Sequence, residues 1–337
     1  MREIYLVLAV IFILVVLLQV YSPTSPTVCY YYYLWYGSPD HPWINFTDGP
    51  VLGFYSSNNL SLIARHLAWI KDSGADCLFI SWWGPGHFTD QVARLVFQKL
   101  GNYGLKGVIL VEPYLEGDPD LYNESWWNST LEYINENYIK RYGDNYLYLE
   151  GKPLVIAFNP IGMHFDPRPV FQNYTIRIIG NDIDNAKYQD WDLWPDYDST
   201  LSGNLRVRKD GYVAISPRFD DEHFRPGGVL PYDPNLTQGW YEKQWQWILK
   251  HRGQIELIAI YSWNEFHERS EVEPHYDSTA KVDPHYFYNM TSFYTLKLRE
   301  PMGALMSWRI WVSVGVIASL IMVFLGFKWK RVGLVIF

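Results

Sequence analysis

The sequence predicts an α/β fold: a (β/α)8 TIM barrel flanked by N- and C-terminal transmembrane helices. Short β-branched or aromatic runs alternate with amphipathic helical patterns across residues 28–300, the order expected of repeated βα units and a parallel sheet. That region is close to the ~250 residues of an ordinary barrel. One further apolar run stands at each end of the chain.

An open, doubly wound sheet is the structural alternative. Such a sheet ordinarily carries a glycine-rich phosphate loop after its first strand, and the first predicted strand here has none. The predicted strands cover residues 28–35, 77–82, 107–112, 153–158, 175–180, 212–216 and 257–262. The predicted helices cover residues 60–72, 90–103, 130–142 and 241–250. In the first helix Leu60, Ile63 and Leu67 share one face, and Gly74 ends it.

The two apolar runs, residues 4–21 and 308–327, are predicted to be transmembrane helices. Basic residues follow the second run, which favours a cytoplasmic C-terminus. Both termini would then be cytoplasmic, with the barrel at the cell membrane on the extracellular or lumenal side. A cleaved signal peptide is the alternative for the first run. Seven Asn-x-Ser/Thr sequons agree with a translocated domain, and they begin at Asn45, Asn59, Asn123, Asn128, Asn173, Asn235 and Asn289.

Composition excludes several classes of protein. The chain has 337 residues and a net charge of −8, which argues against a nucleic-acid surface. Hydrophobic residues make up 48% and charged residues 19%, which argues against disorder. The 2 cysteines are too few for a disulfide scaffold or a four-cysteine zinc site. His87, His223 and His267 lack metal-ligand spacing, so neither a metal nor a cofactor is predicted.

Two carboxylates after the last predicted strand suggest acid–base chemistry. Glu265 and Glu268 lie in the segment Trp-Asn-Glu-Phe-His-Glu, and a turn there would direct both into the mouth of a barrel. Close carboxylates raise one pKa and leave the other group ionised, as glycoside hydrolysis requires. A solvated surface pair is the alternative. Aromatic residues, 18% of the chain, also follow the strands and would offer flat faces to sugar rings.

These motifs together resemble glycoside hydrolase family 99, the endo-α-mannosidases and endo-α-mannanases. The matching segments, in family order, are Tyr-Tyr-Leu-Trp-Tyr-Gly at 32–37, Ser-Trp-Trp-Gly-Pro-Gly at 81–86, Glu-Pro-Tyr at 112–114, Phe-Asp-Asp at 219–221, Arg-Pro at 225–226 and Ser-Trp-Asn-Glu-Phe-His-Glu at 262–268. The resemblance implies a metal-independent enzyme on a (β/α)8 barrel that cleaves internal α-mannosidic or similar bonds with retention. The two apolar runs would anchor this enzyme in the membrane. A non-hydrolytic glycan-binding protein and a glycan-transfer protein on the same barrel are the alternatives.

The resemblance also implies roles for residues. Glu265 would act as base on the sugar 2-hydroxyl, which attacks the anomeric carbon to form a 1,2-anhydro sugar. Glu268 would protonate the leaving oxygen and later activate water. The predicted contacts to an oligosaccharide or polysaccharide substrate come from Tyr36, Trp82, Trp83, Glu112, Tyr114, Asp221, Arg225, Asn264 and His267. For Asp221 a turn or helix-cap role is the alternative.

Two arginines depart from the family pattern. Arg218 and Arg269 stand where the family usually has glycine, and both are expected at the rim, where they either bind anionic sugars or neutralise acidic groups. Cys29 and Cys77 are expected on adjacent strands, as a disulfide or as two buried thiols.

Overall fold

The computed structural model describes residues 25–39, 41–44, 46–112, 123–158, 165, 167–179, 205–227 and 239–300. Its strands all lie in one compact unit, Ser25–Leu298. They are β1 (Thr27–Tyr32), β2 (Gly49–Pro50), β3 (Cys77–Trp82), β4 (Lys106–Val111), β5 (Tyr148–Leu149), β6 (Lys152–Phe158), β7 (Thr175–Ile179), β8 (Tyr212–Ile215), β9 (Leu257–Ile260) and β10 (His275–Tyr276).

The α-helices are α1 (Leu60–Asp72), α2 (Phe88–Leu100), α3 (Glu124–Ile134), α4 (Pro167–Val170), α5 (Trp240–His251) and α6 (Tyr286–Arg299). A π-helical turn, Asn135–Ile139, continues α3. The predicted helix 60–72 is confirmed at both ends. Its N-cap Asn59 accepts bonds from the backbone N–H groups of Ser61 and Leu62. At its C-terminus, Gly74 has a φ of +86°, a conformation that glycine adopts without strain.

Seven parallel strands form the main sheet in the order β7-β6-β4-β3-β1-β9-β8. The short β5 joins antiparallel to β6, and β2 and β10 form a separate antiparallel pair. Because the last strand of the main sheet, β9, pairs with the first, the order is that of a barrel. A doubly wound sheet would instead reverse its order beside β1.

The predicted fold class is nevertheless wrong in two respects. Within the described residues β7 and β8 are not paired, so the sheet is an open, barrel-like sheet rather than a closed one of eight βα units. The chain between these strands, residues 180–204, lies outside the described residues.

The flanking transmembrane helices are the second error. A span needs about 20 apolar residues in one helix. The longest helix in the described part of the chain, Tyr286–Arg299, has 14 residues, and none of the described helices is long and apolar enough to cross a membrane. The predicted segments 4–21 and 308–327 themselves lie outside the described residues.

A run of tyrosines in β1 organises the core around the sheet. Successive side chains of a strand point to opposite faces. Tyr30 and Tyr32 accordingly reach α1 and the residue after it, where their hydroxyl groups bond Ser73 Oγ at 3.2 Å and His66 Nδ1 at 3.1 Å. Tyr31 points the other way and bonds the hydroxyl of Tyr212, on β8, at 3.2 Å. All three tyrosines are buried, so the aromatic composition contributes to the core as well as to the rim.

Cys29 and Cys77 form a disulfide, which decides between the two alternatives left open by the sequence. The two residues are direct register partners on the parallel strands β1 and β3. Both are completely buried. The bond therefore links the two strands whose C-terminal ends carry the first two aromatic motifs.

Candidate active site

The segment after β9 forms one side of the candidate site and is bonded to the end of β1. The Asn264 side-chain amide pairs with the backbone of Tyr33 as a neighbouring strand would. It accepts a hydrogen bond from the Tyr33 N–H and donates one to the Tyr33 carbonyl, both at 2.9 Å. This pairing explains why β1 ends at Tyr32, three residues before its predicted end. The Tyr36 hydroxyl donates to the Asn264 carbonyl at 2.7 Å and accepts from the Phe266 N–H at 3.0 Å.

Tyr36 and Asn264 are therefore buried supports of this segment. Their predicted contact with substrate is corrected to a positioning role, because the hydroxyl and amide groups that would bind a sugar already hold backbone.

Glu265 is held by the segment's own donors. Its backbone N–H donates to Ser262 Oγ at 2.7 Å, which closes the turn. Its Oε1 accepts from the backbone N–H of His267 at 3.0 Å and from His267 Nδ1 at 2.9 Å. These two hydrogen bonds fix the position of that oxygen. Among the described residues Oε2 of Glu265 has no hydrogen-bond partner, so this oxygen is available to accept a proton.

Glu268 has a different environment. Arg225 donates to its Oε1 at 2.7 Å, and the Tyr261 hydroxyl donates to its Oε2. Burial and the negative charge of Glu265 raise the pKa of Glu268 to about 7, against the opposing effect of these two donors. Near neutral pH Glu268 can therefore carry a proton beside the second carboxyl group of the pair, Glu265.

Glu112, just after β4, is a third carboxylate of the site. Its Oε2 accepts from the Ser81 hydroxyl at 2.6 Å and from the Trp83 indole N–H at 2.9 Å. Burial raises the pKa of Glu112 to about 7, with smaller contributions from Glu265 and Glu268. The Tyr33 side chain lies within the field of all three carboxylates, whose charges add to burial in raising its pKa. The structure therefore brings the three glutamates and Trp83 into one site.

The raised pKa of Glu112 predicts a pH-dependent stability. The unfolded chain releases this proton near pH 4.5 and the folded chain near pH 7, so the free energy of unfolding falls between these values. We expect Glu112→Gln to be more stable than wild type at pH 8, by about 3 kcal/mol, and equally stable at pH 4. Urea unfolding at both pH values measures this difference.

The exposed Glu222 offers a matched control in Glu222→Gln, which should change stability little at either pH. A Glu112→Gln protein that is less stable than wild type at pH 8 would contradict the conclusion that burial raises the pKa of Glu112.

Aromatic rings surround the carboxylates. The ring centroid of His267 lies 4.4 Å from that of Phe46 and 4.4 Å from that of Phe224. On the other side, Trp35 and Trp83 pack with their centroids 5.1 Å apart. The predicted aromatic rim is thus present, although His267 contributes to it mainly as the partner of Glu265.

Trp82 does not belong to this rim, so its predicted substrate contact is corrected. It is completely buried, and its indole N–H donates to Asp90 Oδ1 at 2.9 Å. Because β3 is buried along its whole length, its sequence shows no alternation that would have separated Trp82 from Trp83. Tyr114, another predicted contact, lies outside the described residues.

Asp221 and Arg225 approach the site from the segment after β8. Arg225 Nη1 donates to Asp221 Oδ2 at 3.0 Å as well as to Glu268. Asp221 Oδ1 is buried and has no hydrogen-bond partner among the described residues. The side chain of Arg225 is half exposed. Their contacts with substrate stay predictions, but their contact with Glu268 and with each other is observed.

Arg218 and Arg269 are not at the rim, which corrects the expectation that they meet substrate. Both are buried, and both donate to the carboxylates of Asp48 and Asp277. They neutralise the buried carboxylates of Asp48 and Asp277. Arg269 has a φ of +50°, which costs a residue with a Cβ about 1–2 kcal/mol and explains why glycine suits this position.

Asp48, His275 and Asp277 are the described residues whose spacing comes nearest to a metal site, with their ligand atoms within 4.8 Å of one another. Two guanidinium groups already occupy the carboxylates of that group. The group therefore does not fit a metal ion, which would compete with Arg218 and Arg269 for the same oxygens.

Sequence reasoning missed several supporting residues. Tyr261 ends the strand pattern of β9 and appears in the sequence only as one more aromatic residue. Asp90 accepts bonds from Trp82, from the Gly86 N–H and from Tyr133, and so fixes the loop that carries Trp83. The sequence placed Asp90 only at the start of a predicted helix, because its partners Trp82 and Tyr133 lie on two other elements.

The chain is similar to several known endo-alpha-mannosidases. No known protein-family model matches the chain. It is similar to the glycoprotein endo-alpha-1,2-mannosidases of Xenopus laevis, 23% identical over 328 residues (76% of this chain and 71% of the relative), and of Rattus norvegicus, 26% identical over 331 residues (76% and 69%). Among solved structures it matches the GH99 endo-alpha-mannosidase of Bacteroides thetaiotaomicron with a TM-score of 0.64 and 19% identity, over 81% of this chain and 97% of that chain.

The chain is similar to the glycoside hydrolases of family 99 in sequence and in fold. The predicted resemblance is therefore confirmed. The structural match concerns the fold, and it agrees with the strand order in which β9 closes back onto β1.

Proposed function

We propose that this protein is a retaining, endo-acting glycosidase that cleaves internal α-mannosidic linkages with participation of the sugar 2-hydroxyl. One observation carries the proposal: two buried glutamates of one turn have opposite surroundings. Glu265 keeps one free oxygen beside two N–H donors, and Glu268 has a pKa raised to about 7. The names of the similar proteins support α-mannosidic linkages as the substrate.

In the first step, Glu265 accepts the proton of the 2-hydroxyl group, and the resulting oxygen attacks the anomeric carbon. The glycosidic bond breaks, and the leaving oxygen takes its electron pair and a proton from Glu268. The product is a 1,2-anhydro sugar. In the second step the Glu268 carboxylate removes a proton from water, which opens the ring, and Glu265 returns its proton to the 2-oxygen. The two inversions at the anomeric carbon give net retention.

This scheme fits the surroundings of both groups. A base needs an accessible ionised oxygen, and an acid needs a pKa near the working pH. Arg225 and Tyr261 donate hydrogen bonds to the two oxygens of Glu268. These bonds stabilise the carboxylate that Glu268 becomes after it has given its proton to the leaving group. The scheme also demands a 2-hydroxyl trans to the leaving group, which α-mannose has.

Release of new reducing ends from an α-1,2-linked mannan tests the function. Wild type is expected to release them, whereas Glu265→Gln and Glu268→Gln should each be slower by about 10²–10⁴-fold, the usual contribution of acid–base groups. Glu222→Gln, at an exposed carboxylate of the neighbouring segment, serves as the matched control and should retain full activity.

Equal activity in wild type and Glu265→Gln would contradict the proposal. Tight glycan binding without any release would instead support a glycan-binding protein, and products longer than the substrate would support glycan transfer.

We also propose that the catalytic domain matures outside the cytoplasm, in an extracellular or lumenal compartment. The buried Cys29–Cys77 disulfide supports this, because such bonds persist in oxidising compartments. The described sequon residues are exposed, as attachment of a glycan requires: Asn59, Asn123, Asn128, Asn173 and Asn289.

A further inference from the structure

A buried cluster of charges lies under the catalytic segment and has no part in the proposed chemistry. We refer to Asp48, Arg218, Arg269 and Asp277 as the clasp. Arg269 Nε donates to Asp48 Oδ2 at 2.9 Å and its Nη2 to Asp277 Oδ1 at 3.3 Å. Arg218 bonds the same two carboxylates and also donates from Nε to the Arg269 carbonyl at 2.7 Å. The four side chains are almost inaccessible to solvent.

The clasp fixes the backbone next to the catalytic acid. Arg269 directly follows Glu268 and adopts a left-handed conformation that residues with a Cβ avoid. Its guanidinium has bonds to three separate segments, and its carbonyl is held by Arg218. Hydrogen bonds from several directions to one side chain can stabilise a backbone conformation that is otherwise unfavourable.

The clasp also reaches the segment after β8. Arg269 Nη1 donates to Asp220 Oδ2 at 2.8 Å, and the Asp220 N–H donates to the Glu268 carbonyl at 2.8 Å. The next residue, Asp221, binds Arg225 at 3.0 Å. Arg225 in turn donates to Glu268 Oε1 at 2.7 Å. Two chain segments that are far apart in sequence are thus joined on both sides of the Glu268 carboxylate.

We propose that Arg269 is a positioning residue that holds Arg225 against the Glu268 carboxylate and so sets the acid's orientation and its protonation. The inference rests on the proposed function, in which Glu268 donates the proton to the leaving group. Arg269 does not touch the substrate in this account. It acts through Asp220 and the segment that carries Arg225.

The sign of the effect on pH dependence follows from the groups around Glu268. Those that raise or lower its pKa are burial, Glu265, Arg225 and Tyr261, and Glu112 and Tyr33 complete the set of titratable neighbours. Arg225 favours the ionised form. If Arg225 moves away, the pKa of Glu268 rises further, and the alkaline limb of the kcat profile moves to higher pH.

Arg269→Gly tests the inference, because glycine accepts the left-handed conformation, so the side chain and its hydrogen bonds are lost without added backbone strain. The expected result is a roughly tenfold lower kcat at pH 6, a KM within about twofold of wild type, and an alkaline limb displaced upward by about half a pH unit. Arg269→Lys cannot bond Asp48 and Asp220 at the same time, so its kcat should lie between those of wild type and Arg269→Gly. Glu150→Gly is the matched control, since Glu150 is the other non-glycine residue with positive φ in the described chain.

Asp220→Asn provides a second variant if Arg269→Gly does not fold. It weakens the bond between Arg269 and the segment that carries Arg225. The alkaline limb of the kcat profile should move in the same direction as in Arg269→Gly, but by less. An Arg269→Gly or Asp220→Asn enzyme with the wild-type kcat profile, changed only in melting temperature, would overturn the inference.

A wild-type protein that hydrolyses no α-mannan would overturn the proposed function alone. The positioning role would then still be tested by carbon-13 NMR titration of the Glu268 carboxyl group, assigned with Glu268→Gln. An equal Glu268 pKa in wild type and in Arg269→Gly would overturn it.

Discussion

Glu268→Gln is expected to cleave natural oligomannosides about 10²–10⁴-fold more slowly than wild type, but to lose much less activity on aryl oligomannosides with a good leaving group. The reason is that a sugar alkoxide needs a proton to depart, whereas an acidic phenol leaves without one. Glu265→Gln should be impaired to the same extent on both substrates, because the 2-hydroxyl must be deprotonated whatever group leaves. Initial rates on the two substrate classes measure the contrast.

The contrast separates catalytic roles from a general loss of structure. A misfolded variant would lose activity equally on both substrates, and Glu222→Gln should behave as wild type on both. If Glu265→Gln recovered with the better leaving group and Glu268→Gln did not, the acid and base assignments would have to be exchanged.

Removal of the disulfide is expected to have the largest effect on stability. The bond joins residues 48 apart in sequence, and crosslinks of that span stabilise the folded state by about 2–4 kcal/mol through the unfolded chain. We expect the Cys29→Ala/Cys77→Ala protein to melt about 5–10 °C lower than wild type, measured by calorimetry. At 25 °C its kcat should be unchanged, since neither residue contacts the three glutamates.

Reduction of wild type supplies the internal control. Wild type in dithiothreitol should approach the melting temperature of the double variant, while the double variant should not respond to reductant. A wild-type protein whose melting temperature is the same with and without reductant would show that the bond contributes nothing to stability.

Local patterns in the sequence were sufficient for most elements but not for how they combine. Strand 77–82 and helix 60–72 were predicted with their observed ends, because a short, largely apolar run and a capped amphipathic repeat are local signals. No local pattern predicts whether the barrel closes. Closure depends on pairing between β7 and β8, and residues 180–204 between these strands lie outside the described chain. Helix α6 was also missed, because its apolar stripe is weak.

The same distinction applies to the site. Glu265, Glu268, Glu112 and Trp83 could be predicted because each follows a strand at the same edge of the sheet. The direction of Trp82 and the burial of Arg218 could not. Arg218 finds its partner Asp48 170 residues away in sequence, and a charge next to a catalytic motif is indistinguishable from a substrate contact until that partner is known.

Proton NMR of the first product tests the central claim most directly. Wild-type enzyme is mixed with an α-1,2-linked manno-oligosaccharide, and the anomeric signals are followed before mutarotation. Participation of the 2-hydroxyl with Glu265 as base and Glu268 as acid predicts internal cleavage in which the α-anomer of the new reducing end forms first. Initial formation of the β-anomer would contradict the account, because it would require direct attack of water on the sugar.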